Sequence, residues 1–487
     1  MTQQDRRIGG VFTAELGEPV EVDLEGMLSV GLDARDAPSP RPAPSPGDVA
    51  GAMNVAAAGE VAFRRPISFW GQLATGEAVS VFDATNQGLP GVATHYVAPF
   101  AVLGANVSAD QRYVSVRFRL DHPYRLSHLT DSDSSVVGDD QSTLSVEASE
   151  AGNWLVYESS APATLSQLQM RVVSGCLVLA QLALFPDRDR EFDLRTTETQ
   201  IRVDKAGPWL TVRGPMFCAP KPAQLQLDSL LLPTELTVDR FANWIAINDK
   251  FDGLAWAVAR RMIIPIQLQV QLLTSLVEGL HIRLTPPRGQ TWFPDASKGA
   301  LKRIRQAATQ AAVDQAHRDG FDPAAVGTRV WNALGFWMDK SYLERAEDIV
   351  AAACAAVPEV GLSITRLAAH LRDSRITFAH QLQQEGDLQD RYERWMVLSI
   401  ITPWLLRARL LLEAGIAPQV LREKYLVNET FTLHREQATI RVKKLGWDQP
   451  PGPRPADRTW APSKAAENPP TTRMDLIREL IRSFRRR

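Results

Sequence analysis

The sequence predicts an α+β protein in which a β-rich N-terminal part precedes an all-α helical part. Up to about residue 225, short runs alternate between apolar and polar residues and are separated by turn residues, which is typical of antiparallel strands. From about 235 to 445, apolar residues recur at helical spacing and glycines are few. The 487 residues are enough for about three domains of roughly 150 residues each.

Strands are predicted at 22–30, 78–82, 112–120, 200–203 and 209–213. The clearest is 112–120, where Val114, Val116, Phe118 and Leu120 share one face and Arg112, Ser115, Arg117 and Arg119 lie elsewhere or opposite. Two loops interrupt this β-rich domain, which we place at 8–225. Alternating prolines predict an extended exposed loop at 38–46. The stretch 130–152 has six acidic residues and no lysine or arginine, which predicts a solvated loop; a calcium site is the alternative, but the spacing does not match an EF-hand loop.

The helical domain is placed at 235–445. Its predicted apolar stripes begin with Phe241, Trp244, Ile245 and Phe251, and continue with Leu268, Leu272, Leu276 and Leu280, then Ile364, Leu367, Ala368, Leu371 and Phe378, then Trp395, Leu398, Ile401, Leu405 and Leu406. Seven prolines at 448–470 predict a disordered linker. Residues 471–487 predict a basic amphipathic tail that docks on a partner, a membrane surface or nucleic acid, or else stays solvated.

Composition excludes several classes of protein. Hydrophobic residues make up 45% and charged residues 23%, as in ordinary globular proteins, and the net charge of −2 gives no overall basic field. Cys176, Cys218 and Cys354 are too few and too scattered for a disulfide framework or a paired-cysteine zinc site. The polar N-terminus and the short, interrupted apolar stretch 172–185 predict a cytoplasmic protein with no integral membrane segment.

The common catalytic signatures do not occur in the sequence. It has no phosphate-binding glycine loop, no nucleophile elbow and no zinc-binding histidine pair on a helix. His95, His122 and His128 lie near acidic residues but share no metal-ligand spacing. We therefore predict neither a metal site nor a cofactor.

One motif in the helical domain contains residue types that can catalyse a reaction. Arg375 precedes His380 by five positions, and these two side chains supply what metal-free RNA cleavage needs. A guanidinium grips a phosphate with two parallel hydrogen bonds, and an imidazole transfers protons near neutral pH. On a straight helix the two side chains would be about 140° apart at roughly 100° per residue. For a working site, the helix must end or distort near Ala379, or a facing element or a second subunit must complete the site. The alternative without function is that Arg375 only extends its charged end from a packed helix face into solvent.

The surroundings of this motif resemble a known family. Gln271–His281 on an early helix, the Arg375–His380 motif and Trp404–Ile416 on a closing helix follow the order of a HEPN domain. In the N-terminal half, Gly10–Phe12, Val22–Val30 and Phe69–Phe82 follow the order of the ApeA N-terminal domain. Over about residues 8–445, the chain resembles the ApeA type of anti-phage defence protein, in which a β-rich domain precedes an Apea-like HEPN domain.

The resemblance implies a metal-independent endoribonuclease that acts in abortive infection. It implies a homodimer through the HEPN domains, RNA as the substrate with tRNA as one candidate, and a β-rich domain that senses a phage-derived trigger. By the same analogy, Arg375 binds and polarises the phosphate. His380 acts on the 2′-hydroxyl or the leaving group, which yields a 2′,3′-cyclic phosphate.

One position departs from the family pattern. Ile376 follows the motif arginine, where many active members carry Asn, Asp or His. Asp373 could supply the polar group, with Arg372 beside it, and Glu278 and His281 are candidate supporting residues on the facing helix. Ile376 favours the leading alternative, a non-catalytic module that binds RNA or protein. A third hypothesis is a ligand-binding β domain that uses the bundle only to dimerise.

A local excess of positive charge is consistent with an RNA partner. Between Arg391 and Trp447, the sequence contains ten lysines and arginines but only five acidic residues. Such an excess attracts a phosphate backbone, although solvated helix surfaces often carry a similar one.

Overall fold

The structure is a computed structural model, and it describes residues 10–15, 18–24, 66–87, 95–120, 126–150, 152–185, 195–215, 217, 228–260, 264–293, 295–379 and 387–449. Antiparallel strands precede helices along the chain, so the predicted α+β class is confirmed. Several predictions concern residues outside the described ranges: the proline loop 38–46, His122, Cys218, His380, nearly all of the linker 448–470, and the tail 471–487.

The chain forms two compact units. One lies within residues 1–261 together with 411–417, and the other within 262–410 together with 418–487. The strands all belong to the first unit. They are β1 (Gly10–Thr13), β2 (Val20–Leu24), β3 (Ile67–Gln72), β4 (Ala78–Asn86), β5 (His95–Ala98), β6 (Phe100–Leu103), β7 (Arg112–Leu120), β8 (Ser134–Val137), β9 (Ser142–Glu147), β10 (Trp154–Thr164), β11 (Leu184–Phe185), β12 (Thr196–Arg202), β13 (Leu210–Arg213) and β14 (Asp228–Ser229).

Twelve strands make one antiparallel sheet in the order β1-β2-β5-β4-β6-β13-β12-β7-β10-β9-β8, with β3 beside β4. β11 and β14 pair separately. The prediction of 112–120 as a strand is confirmed residue for residue by β7. The predictions at 78–82, 200–203 and 209–213 fall on β4, β12 and β13, and the described part of the prediction at 22–30 falls on β2.

The prediction of a solvated loop at 130–152 is wrong. This stretch contains the hairpin of β8 and β9, whose strands pair from Ser134 with Ser145 to Val137 with Ser142. Val137, Leu144 and Val146 are buried. Because these apolar residues alternate with the polar ones, the acidic side chains occupy turns and edges while the strands contribute to the core.

The first unit also contains helices. They are α1 (Leu165–Leu168), a π-helical turn at Gln169–Val173, α2 (Ser174–Ala183), α3 (Val238–Asn248) and α4 (Leu254–Ala259). The apolar stretch near 172–185 is therefore mainly a core helix, with Val178, Leu179 and Leu182 buried. α3 packs against β8 and β9 and buries Phe241, Trp244 and Ile245, as its apolar stripe predicts.

A stack of alternating arginines and tryptophans crosses the sheet. The guanidinium of Arg117 lies 4.6 Å from the ring centre of Trp154 and 4.4 Å from that of Trp209. Arg119 extends the stack beyond Trp154 at 4.0 Å, and Arg202 extends it beyond Trp209 at 4.5 Å. The alternation in β7 predicts that Arg117 and Arg119 lie opposite the core face of the sheet. On that opposite face, the arginines make cation–π contacts with the tryptophans.

The second unit is helical. Its helices are α5 (Ile266–Leu284), α6 (Lys298–Asp319), α7 (Pro323–Ala333), α8 (Tyr342–Ala356), α9 (Leu367–Ala379), α10 (Leu388–Glu413, whose last three residues belong to the first unit), α11 (Pro418–Val427) and α12 (Glu429–Leu445). α10 is the one described helix that is long and apolar enough to cross a membrane, and 67% of its apolar window is buried inside the protein. The described residues thus contain no clear integral membrane segment.

The predicted stripes of the second unit are buried except at the start of α5 and at Phe378, which is half-buried. Leu276 and Leu280 are buried, but Leu268 is 53% exposed. The buried face instead runs through Val270, Leu273, Leu276, Val277 and Leu280. The spacing of exactly four residues drifts around a helix of 3.6 residues per turn, so the leucines leave the core toward the N-terminal end.

Candidate functional site

Three helices of the second unit position the candidate site. α9, which carries Arg375, packs against α5 and α8. α8 begins with a capping box, in which the Ser341 hydroxyl accepts from the backbone N–H of Glu344 at 3.4 Å and the Glu344 carboxylate accepts from the backbone N–H of Ser341 at 2.7 Å. This cap fixes the first turn of α8, which contributes Tyr342 and Arg345 to the site.

Glu278 joins two arginines at the centre of the site. Its Oε1 accepts from Nη1 of Arg345 at 2.8 Å, and its Oε2 forms an ion pair with Nη1 of Arg375. The side chains of Glu278 and Arg345 are 23% and 14% exposed, whereas that of Arg375 is 33% exposed. Two guanidiniums thus share one carboxylate, and the more accessible of them belongs to the predicted motif.

Tyr342 supports Arg375 from the other side. The guanidinium of Arg375 lies 4.9 Å from the centre of the Tyr342 ring, within the range of a cation–π contact. The Tyr342 hydroxyl donates to the carbonyl oxygen of Thr274 on α5 at 3.0 Å. Burial raises the pKa of Tyr342 above its ordinary value, so the phenol stays neutral and keeps this hydrogen bond.

A second polar chain lies one turn along α5. His281 is fully buried, and its Nε2 lies 2.8 Å from Oδ2 of Asp348. Lys340 donates to the same oxygen at 2.6 Å. Burial holds the pKa of His281 below its ordinary value, even though Asp348 opposes the shift. Burial acts to raise the pKa of Asp348, but the hydrogen bonds from Lys340 and His281 outweigh it and the pKa is lowered.

The structure separates the predicted site residues into groups. Glu278 contacts Arg375 directly, whereas Arg372 donates to Asp373 at 2.6 and 2.8 Å and forms its own pair on the surface of α9. Ile376 is 41% exposed. His380 lies outside the described residues, and α9 is described as far as Ala379.

Sequence reasoning missed Tyr342, Arg345, Lys340 and Asp348. The available signal was the capping box at Ser341 and Glu344, which predicts a helix start. From such a start, Tyr342, Arg345 and Asp348 follow at intervals of three and share one helix face. The contacts with α5 join residues 67 and 68 positions apart, and helix periodicity alone does not identify such partners.

The local excess of positive charge is partly taken up by ion pairs and burial. Arg422 pairs with Glu359 at 2.6 Å, and Lys444 and Arg441 pair with Glu393 at 2.9 and 3.1 Å. Arg407 is only 2% exposed. These four of the ten basic residues between 391 and 447 therefore contribute little free charge for phosphate attraction.

An open pocket of about 570 Å³ borders the cluster, with Glu278, Tyr342 and Arg345 in its wall. Within the described ranges, no three or more His, Cys, Asp or Glu side chains form a group that could hold a metal ion.

In comparisons with known proteins, no family model, no curated protein and no solved structure matches the chain.

Proposed function

We propose that the chain is a HEPN-type, metal-independent endoribonuclease that acts in anti-phage defence in the cytoplasm. The observation that carries the proposal is the setting of Arg375. Its guanidinium is partly exposed, is oriented by Glu278 and Tyr342 of the pocket wall, and precedes His380 by five residues. This orientation supports bidentate binding of a phosphate, because a guanidinium held on two sides loses little freedom when it binds.

The proposed reaction needs Arg375, His380 as the base, and a second group that acts as the acid. His380 accepts the proton of a 2′-hydroxyl, whose oxygen then bonds to the adjacent phosphorus. The bond between phosphorus and the 5′-oxygen breaks, and that oxygen takes a proton from a second acid. The products are a 2′,3′-cyclic phosphate and a 5′-hydroxyl, and Arg375 offsets the charge that develops on the phosphoryl oxygens.

One imidazole does not serve as base and acid at the same moment, so the proposal includes a homodimer whose two motifs form one cleft. RNA is the proposed partner, with tRNA as one candidate. The β-rich part is proposed to sense a phage-derived trigger. Light scattering on the eluted protein tests the dimer, because a chain of 53.9 kDa and its dimer are easily separated.

The nuclease is tested by incubating total cellular RNA with the purified chain in EDTA. Arg375→Ala and His380→Ala should abolish cleavage. Arg318→Ala and His317→Ala are matched controls, because both residues are exposed in the last turn of α6. If the purified chain does not cleave RNA, lysate from phage-infected cells is added as a source of the trigger. Full cleavage by the two motif variants would contradict the proposal.

A second function is favoured by two observations. Ile376 leaves an exposed apolar side chain beside the motif arginine, and Glu278 already neutralises Arg375. Both fit a non-catalytic defence module that binds RNA or a protein. Such a module would bind RNA without cleaving it, with or without infected-cell lysate.

A further inference from the structure

The pocket beside Arg375 has the size of a ligand site. Its volume of about 570 Å³ lies within the usual range for small-molecule sites. Glu278 and Tyr342, the two residues that hold Arg375, both belong to its wall. A molecule in the pocket would therefore lie next to the proposed phosphate-binding guanidinium.

Large aromatic side chains line this pocket and remain open to solvent. Trp292 is 56% exposed and Phe336 is 78% exposed, and Trp337 is in the wall as well. Single exposed apolar residues are ordinary, but a group of them around a concavity marks a binding surface. Aromatic faces of this kind stack unpaired nucleobases.

The aromatic wall is held in place by backbone hydrogen bonds. The N–H of Trp292 donates to the carbonyl of Met338 at 2.9 Å, and the N–H of Lys340 donates to the carbonyl of Gln290 at 3.0 Å. The ring of Trp337 packs 6.0 Å from that of Phe293. The pocket is thus formed before any ligand binds, which lowers the entropic cost of binding.

One carboxylate in the wall remains available. Among the described side chains, no hydrogen bond or ion pair engages the carboxylate of Asp339. The other charged residues of the wall are occupied: Glu278 holds two arginines, Glu344 caps α8, and Lys340 binds Asp348. Within the described part of the chain, Asp339 therefore offers unengaged acceptor oxygens in a wall that also contains aromatic side chains.

Guanine is the base that fits this combination. Its Watson–Crick edge carries two neighbouring N–H donors, on N1 and N2, which match the two oxygens of one carboxylate. Uracil would place carbonyl oxygens against the carboxylate, and adenine and cytosine would each place an unprotonated ring nitrogen next to their amino group. We propose that this pocket binds an unstacked guanine of single-stranded RNA, which places the adjoining phosphate toward Arg375.

This inference rests on the proposed function, but it is tested without cleavage. Guanosine, adenosine, cytidine and uridine are titrated into the full-length chain by calorimetry. Guanosine should bind at least about tenfold more tightly than the other three nucleosides, since it alone presents two neighbouring N–H donors to the Asp339 carboxylate. Trp292→Ala and Asp339→Asn should each weaken guanosine binding at least about tenfold.

Phe321→Ala is the matched control, because Phe321 is 66% exposed and is not among the residues that line the pocket. This variant should bind guanosine as the parent does. Phe336→Ala provides a second test of the wall at a 78% exposed position that does not endanger folding. The inference is overturned if no nucleoside binds, if all four bind equally, or if the three wall variants bind like the parent.

Failure of the base site and failure of the nuclease give different results. If guanosine binds but Arg375→Ala cleaves RNA as the parent does, the proposed nuclease site is rejected and the proposed base site is kept. Cleavage that needs Arg375, with no guanosine binding, would reject the base site and keep the nuclease.

Discussion

Glu278 and Arg375 form an ion pair between α5 and α9, and the same carboxylate also binds Arg345 on α8. The arginine of the predicted motif is therefore connected to both neighbouring helices through one residue. A phosphate that binds Arg375 competes with this carboxylate for the guanidinium. Glu278 thus has two effects with opposite signs, one on stability and one on RNA affinity.

Glu278→Gln should separate these effects. The amide keeps the shape but removes the competing charge, so RNA affinity should rise about fivefold, the equivalent of a partly exposed ion pair worth about 1 kcal/mol. The free energy of unfolding should fall by about 1 kcal/mol, because Arg345 loses its charged partner in a half-buried position. Filter binding and urea unfolding measure the two. Glu347→Gln, at an exposed position on α8, should change neither.

Tyr342 should act on Arg375 through its ring rather than through its hydroxyl. Tyr342→Phe keeps the cation–π contact and loses only the bond to Thr274, so RNA cleavage should stay close to the parent level while stability falls by about 1 kcal/mol. Tyr342→Ala removes the ring and should reduce cleavage toward the level of Arg375→Ala. Equal cleavage by both Tyr342 variants would show that the ring does not orient the arginine.

His370 should make the stability of the chain depend on pH. It stacks on Trp447 with ring centres 3.7 Å apart, and burial lowers its pKa to about 4. The folded chain keeps this histidine neutral, whereas in the unfolded chain it takes up a proton near its ordinary pKa of about 6.5. Stability is therefore fully present above pH 6.5 and is lost as the pH falls toward 4.

The comparison of the parent with His370→Phe isolates this group from the carboxylates that also titrate in acid. Between pH 7 and pH 5, the parent should lose about 2 kcal/mol more than the variant. Urea unfolding at several pH values measures the difference. A difference that does not change with pH would show that His370 titrates alike in both states.

Arg117 should be the most sensitive member of the arginine–tryptophan stack. It lies between Trp154 and Trp209 and also binds Glu147 at 2.8 Å. Arg117→Met should lower the free energy of unfolding by about 2 kcal/mol, because two cation–π contacts and a charged hydrogen bond disappear. Arg112→Met on the same strand should cost less than about 0.5 kcal/mol, since Arg112 is exposed. Similar losses for both variants would contradict this ranking.

How far the sequence predicts the structure depends on the range of the interactions. The alternation at 112–120 predicts the bounds of β7 and the burial of Val116, Phe118 and Leu120, because strand burial repeats every two residues. The predicted faces are wrong at the start of the strand, where Ser115 is buried and Val114 is half-buried. The hairpin of β8 and β9 was missed because its acidic residues conceal a short apolar alternation whose burial depends on partners elsewhere in the first unit. Local pattern determines the elements, and long-range packing decides which of them are buried.

The candidate site shows the same limit. The spacing of Arg375 and His380, together with the resemblance of the surrounding helices to a family pattern, predicts Arg375, and Glu278 is predicted as a supporting residue on the facing helix. Tyr342 and Arg345 join them only through the packing of α5, α8 and α9. No single-helix periodicity carries that information, because each of these contacts joins side chains on different helices.

The reaction chemistry tests the central claim most directly. An RNA oligonucleotide that the chain cleaves is synthesised again with a single 2′-deoxynucleotide on the 5′ side of the cleaved bond, and both are incubated with the chain in EDTA. The Arg375 and His380 mechanism predicts that the all-ribose RNA yields a 2′,3′-cyclic phosphate and that the 2′-deoxy RNA stays intact at that bond. Cleavage of the 2′-deoxy bond, or a linear 3′-phosphate formed at once from the parent RNA, would contradict it.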